Sequence, residues 1–92
     1  MNRYRADPPA LRPSVAAEGM TLLYHRPSGT THVLLPPAPE ILDMLGEAPA
    51  DADMLAARLA AEYATEFSGE PIADIVAARL AELEAAGLVM RA

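Results

Sequence analysis

Three residues, Pro27-Ser28-Gly29, lie between two short runs of strand-forming residues and restrict this chain more than any other stretch. Proline presets φ at the second position of a turn, and glycine supplies the left-handed position that closes it. Met20 to His25 and Thr31 to Leu35, on either side, are rich in β-branched, aromatic and aliphatic residues, which is the pattern of a hairpin. Pro36-Pro37 stops the second strand, and Pro39-Glu40 suits the first turn of a helix.

Register follows from the turn. A type I turn with a following bulge pairs Arg26 with Thr30, so His25 faces Thr31, Tyr24 faces His32, Leu23 faces Val33 and Leu22 faces Leu34. Alternation then puts Met20, Leu22, Tyr24, His32 and Leu34 on one side, and Leu23, His25, Thr31, Val33 and Leu35 on the other. Both faces carry apolar residues. One packs on the helices, and the other needs its own explanation.

Upstream, Pro8-Pro9 and Pro13 exclude continuous helix. Residues 1–10 read as an extended N-terminal arm, and residues 11–92 as a single domain. Within it, Leu11 to Ala17 is the expected first strand, with Glu18-Gly19 turning into the next. Downstream, three helices are expected. The first spans about Ala38 to Leu45, with Gly46 as its left-handed cap. The second starts near Asp51 or Asp53, either able to serve as N-cap, and runs to about Ala64 with Leu55, Leu59 and Tyr63 on one stripe. The third starts around Pro71, ends at Gly87, and aligns Ile72, Ile75, Val76, Leu80 and Leu83. Val89 to Ala92 is a tail or a last extended piece. Strands first and helices after, with tight connections, define a small α+β domain of winged helix-turn-helix type.

Ninety-two residues hold one modest core. No cysteine occurs, so disulfides, thiolate zinc sites and cysteine nucleophiles are all excluded. No apolar run reaches the roughly 18 residues of a membrane span, and the N-terminus lacks a signal-peptide core, so the cytoplasm is the expected location. The net charge is −6 and every cation is arginine. Arg79 stands against Asp74, Glu82 and Glu84 on the third helix, and Arg58 against Glu62 on the second. A recognition helix so balanced would repel a phosphate backbone, which argues against nucleic acid as a partner.

Chemistry is sparse. With His25 and His32 on opposite faces they cannot chelate one metal, so His32 is expected to pair with Tyr24 while His25 is exposed. Ser14, Ser28 and Ser68 have no evident base and orienter, and Asp43, Glu47, Asp51 and Asp53 read as surface and capping residues. No phosphate-binding glycine loop is present. The expectation is a protein that is not an enzyme, with no catalytic residue, metal or cofactor.

The sharp feature is an edge. If the first strand pairs with Met20–His25, Thr31–Leu35 lies at the margin of the sheet without lysine, internal proline or inward charge to protect it. Thr31, His32, Val33, Leu34 and Leu35 then offer backbone groups for strand addition, with Ile75, Val76, Arg79, Leu80 and Leu83 of the third helix as a wall. The alternatives are that the N-terminal arm or a second copy of the chain covers this edge, and that the helix face is ordinary core.

Tyr24-His25-x-Pro27-Ser28-Gly29-x-Thr31-His32-x-Leu34, running into Pro37-Ala38-x-x-Ile41-Leu42, resembles the PqqD family of small peptide chaperones, also called RiPP recognition elements. The spacings Leu55-x-x-x-Leu59-x-x-x-Tyr63 and Leu80-x-x-Leu83-x-x-x-Gly87-Leu88 are similar to its second and third helices. The likeness spans about residues 11 to 90 and is strongest to the branch linked to an HPr-kinase-related (HPr-rel-A) system. It implies a three-stranded antiparallel sheet packed on three helices. It also implies capture of a ribosomal precursor's leader peptide as an added strand between the third strand and the third helix. The partners so implied are the leader peptide and the pathway's modifying enzyme, to which the bound precursor is presented, with no nucleic acid and no membrane. A monomer or a homodimer both fit. The alternative is an adaptor or dimer pairing through the same edge; a winged-helix DNA-binding regulator is the third.

Overall fold

The computed structural model describes residues 2–63 and 71–92, with the side chain of residue 63 left aside. In chain order it contains β1 (Arg3–Ala6), a 3-10 turn (Pro9–Leu11), β2 (Ser14–Ala17), β3 (Met20–His25) and β4 (Thr30–Leu34). These are followed by α1 (Ala38–Glu47), β5 (Ala50–Asp51), α2 (Ala52–Tyr63), α3 (Ile72–Ala85) and β6 (Val89–Arg91). The molecule is α+β, with a three-stranded antiparallel sheet β2-β3-β4 packed with three helices. A second small sheet, β5-β1-β6, is also present.

The extended arm is therefore paired. Tyr4, Arg5 and Ala6 lie opposite Arg91, Met90 and Val89, and Arg3 and Tyr4 lie opposite Asp51 and Ala50. Tyr4 and Ala6 pack against the core, which fixes β1 between β5 and β6. Arg91 lies 5.7 Å over the Tyr4 ring and bonds Glu84, a hydrogen bond and charge that raise its guanidinium pKa above the ordinary value.

Local chemistry accounts for the helix ends. Asp51 is the cap of α2, its Oδ1 accepting the Met54 amide at 2.8 Å. After α3, Leu88 N–H reaches Leu83 O and Gly87 N–H reaches Glu84 O, both at 3.0 Å, which is a Schellman closure. Gly87 takes it at φ +79°, where an L side chain is strained. Leu88 and Leu83 are both buried beneath it.

Gly46 corrects the expected end of α1. The helix continues to Glu47, and Gly46 sits inside it without a positive φ. Its missing side chain leaves room for Arg12, whose Nη2 donates to Leu42 O at 2.9 Å and whose Nε donates to Asp7 O at 2.9 Å. Arg12 is only 5 % exposed. A buried guanidinium needs such partners to repay its desolvation.

The core is a single cluster in which Leu23, Ile41, Leu42, Leu55, Leu59, Val76, Leu88 and Val89 are almost wholly buried. Burial of each such side chain contributes about 1.5–3 kcal/mol before chain entropy is subtracted. The helical stripes supply these residues at the spacing the sequence shows: Leu55 and Leu59 from α2, and Val76, Leu80 and Leu83 from α3.

Candidate functional site: an open strand edge beside α3

The hairpin register differs from expectation by one residue. His25 pairs with Thr30, Tyr24 with Thr31, Leu23 with His32, Leu22 with Val33 and Thr21 with Leu34. The connection is four residues, Arg26 to Gly29, closed by Gly29 N–H donating to His25 O at 2.8 Å. The Ser28 side chain explains the longer loop, because its Oγ contacts His25 Nδ1 at 2.7 Å and Thr30 Oγ1 at 2.6 Å across the turn.

The one-residue slip exchanges the faces of β4 relative to β3. Leu23, His25, His32 and Leu34 share the inner face, and Val15, Leu22, Tyr24 and Val33 share an exposed outer one. Four sequence-based expectations are corrected here. His25 is buried, at 5 % exposure, and His32 lies on its face rather than against Tyr24. The supposed separation of the two histidines on opposite faces also fails. Ser28, expected to have no base or orienter, contacts His25, whose Nε2 lies 2.9 Å from Asp7 Oδ2. That carboxylate comes from the segment after β1, which local sequence patterns could not bring to the hairpin. Ser28 lines no part of the groove described below, and the amide of the neighbouring Gly29 is engaged by His25 O. Ser68 lies outside the described residues. No group of three or more metal-ligating side chains occurs among the described residues.

Backbone direction decides what the edge can do. Tyr24 N–H donates to Pro13 O, and Arg26 N–H to Leu11 O, each at 2.9 Å, so this side of β3 is closed by the segment from Leu11 to Ala17. Amide direction alternates along a strand, so Thr21, Leu23 and His25 face β4, and Thr30, His32 and Leu34 face back. Thr31 and Val33 therefore aim their N–H and C=O groups away from β3. Among the described residues no strand pairs there. The arm that could have covered this margin is engaged by β5 and β6 instead.

Beside the edge runs a groove of about 360 Å³. β4 and the residue after it supply His32, Val33, Leu34 and Leu35; Ala38 comes from the start of α1. The opposite wall is Arg79, Glu82, Leu83 and Ala86. Arg79 Nε lies 2.8 Å from Glu82 Oε2, so the wall's charges offset one another. Apolar groups line most of the groove between them.

Of the residues expected to bind peptide, His32, Val33, Leu34, Leu35, Arg79 and Leu83 line this groove. Thr31 does not line it, but offers its backbone to the same edge. Val76 and Leu80 are 0 % and 2 % exposed and belong to the core, and Ile75 is half-buried away from the groove lining. Sequence reasoning missed Ala38, Glu82 and Ala86. The signal was present for two of them, since Arg79, Glu82, Leu83 and Ala86 follow i, i+3, i+4, i+7 spacing on one helical face.

No helix among the described residues is long and apolar enough to cross a membrane. Residues 20–89 match the model of a family described as Coenzyme PQQ synthesis protein D (PqqD), about three quarters of the chain. The chain belongs to the PqqD family. No curated protein and no solved structure matches it.

Proposed function

We propose that this PqqD-family chain is a non-catalytic chaperone that captures the leader of a ribosomally made precursor peptide by strand addition and presents it to a modifying enzyme. The observation that carries the reading is the unpaired margin of β4, with the backbone groups of Thr31 and Val33 facing outward beside an apolar groove. Strand addition draws affinity from such groups and selectivity from the side-chain pockets next to them. Family membership supports a precursor-binding role. The peptide-binding surface comprises Thr31, His32, Val33, Leu34 and Leu35 with Arg79 and Leu83, while Val76 and Leu80 hold α3 in place and Ile75 flanks them. Residues 11–92 form the binding unit, of winged-helix type, and residues 1–10 brace it. The chain works in the cytoplasm and is closest in type to the HPr-rel-A branch.

Titration of the purified chain with the leader of the precursor encoded beside its gene tests this. Val33→Pro removes an amide aimed at the guest and leaves the hairpin's own ladder alone. Affinity should fall at least tenfold; equal affinity for wild type and variant rejects strand addition. Sedimentation of the free chain distinguishes a guest peptide from a second copy on the same edge.

A further inference from the structure

A line of hydrogen bonds runs from the groove into the interior. His32 Nε2 lies 2.9 Å from Thr30 Oγ1, Thr30 Oγ1 lies 2.6 Å from Ser28 Oγ, and Ser28 Oγ lies 2.7 Å from His25 Nδ1. His25 Nε2 then meets Asp7 Oδ2 at 2.9 Å. One end is a half-buried ring lining the peptide groove, and the other is a buried ring beside a carboxylate.

The protons in this line have a preferred order. An ionised Asp7 only accepts, so His25 Nε2 holds a proton and, in the neutral ring, Nδ1 is an acceptor. Each hydroxyl has one proton to give, and Ser28 Oγ lies 2.7 Å from Nδ1 but 3.5 Å from the His25 carbonyl. Ser28 therefore donates to the His25 ring, Thr30 to Ser28, and His32 Nε2–H to Thr30. Neutral His32 is left with Nδ1 as a bare acceptor, and among the described residues nothing bonds it. When His25 takes up a proton, Nδ1–H donates to Ser28, Ser28 to Thr30, and Thr30 to His32 Nε2. The neutral His32 ring must then carry its proton on Nδ1.

We propose that this relay makes His32 a specificity-determining residue of the groove. With His25 neutral, His32 accepts a hydrogen bond from a guest side chain; with His25 protonated, it donates one. The inference rests on the peptide-binding reading of the groove. His25, Ser28 and Thr30 act as positioning residues. The charged groups around the line are Arg79 and Glu82 of α3 in the groove wall, and Asp7 at His25. Arg12 bonds the Asp7 backbone and pairs with Asp43 of α1 at 3.5 Å.

Long-range 15N correlation spectra of the histidine-labelled full chain, titrated from about pH 8 to about pH 5, test the relay without any peptide. In the wild type both rings should start with their proton on Nε2, and the His32 proton should move to Nδ1 in the step that protonates His25. Ser28→Ala should abolish that coincident change while His25 keeps its bond to Asp7. Thr30→Val, near-isosteric and suited to a strand, cuts the line elsewhere and should do the same; Thr30→Ser should retain it. If His32 shows the same tautomers throughout in wild type and in both cut variants, the relay is wrong. Because this readout needs no bound strand, it stands or falls separately from leader capture.

Discussion

Arg12 occupies the space that a side chain on Gly46 would need: a Cβ placed there would lie 2.6 Å from Nη2. The guanidinium cannot simply swing aside, because it is buried and holds the Leu42 carbonyl from α1 and the Asp7 carbonyl from the N-terminal segment. Glycine inside a helix normally costs about 1 kcal/mol relative to alanine. Here the sign reverses, because losing a charged hydrogen bond in the interior costs about 1.5–3 kcal/mol.

Gly46→Ala is therefore expected to destabilise the chain by about 0.5–2 kcal/mol, the bond lost less the helix propensity gained. Chemical denaturation measures it. In a double-mutant cycle with Arg12→Met the penalty at position 46 should shrink, since the obstructing group is gone. Strict additivity would show that the two residues do not share this space.

Asp51→Ala should cost about 1 kcal/mol by removing the acceptor of the Met54 amide. For a chain of this size that corresponds to a fall in melting temperature of about 4–8 °C. Asp51→Asn or Asp51→Ser should recover most of the loss; failure of both to do so would argue against a capping role.

His32→Pro and Val33→Pro should behave as opposites although they are adjacent. The His32 amide faces β3, so proline there breaks the hairpin ladder and should destabilise by about 1–3 kcal/mol. The Val33 amide faces outward, so its replacement should leave the melting curve close to wild type while weakening leader binding. Amide hydrogen exchange across β3 and β4 reports which ladder has opened.

Leu80→Ala should cost about 2–5 kcal/mol through the cavity it leaves, whether or not peptide is present. Ala86→Gln, on the groove wall and exposed, should change stability by no more than about 0.5 kcal/mol yet weaken binding by obstructing the groove. A binding defect in Leu80→Ala with an unchanged denaturation midpoint would contradict the core assignment.

How far the sequence carries depends on the reach of each interaction. The α+β class, the Glu18-Gly19 turn, the Asp51 cap and the Gly87 closure are written in neighbouring residues, and all are found. The exposed position of β4 was also legible, because strand order in a sheet of three hairpin-linked strands leaves few choices. The face assignment was not, because it depended on one loop residue whose placement is set by Ser28 bonding across the turn. Gly46 was misread as a cap because its reason, Arg12, lies 34 positions away. The wall read from the sequence was one stripe off the observed groove lining on α3, because a helix's most apolar stripe goes to its own core and the groove is bounded by the next one over.

The pairing of Arg3–Ala6 with both β5 and β6 has a practical consequence. Trimming the first seven residues as if they were a loose end would remove the middle strand of one sheet and leave Val89–Arg91 without its neighbour. It would also take away the carboxylate that His25 leans on. A shortened chain that lost its grip on a leader would thus reveal nothing about whether the arm touches peptide, because the damage would already lie beneath the binding surface.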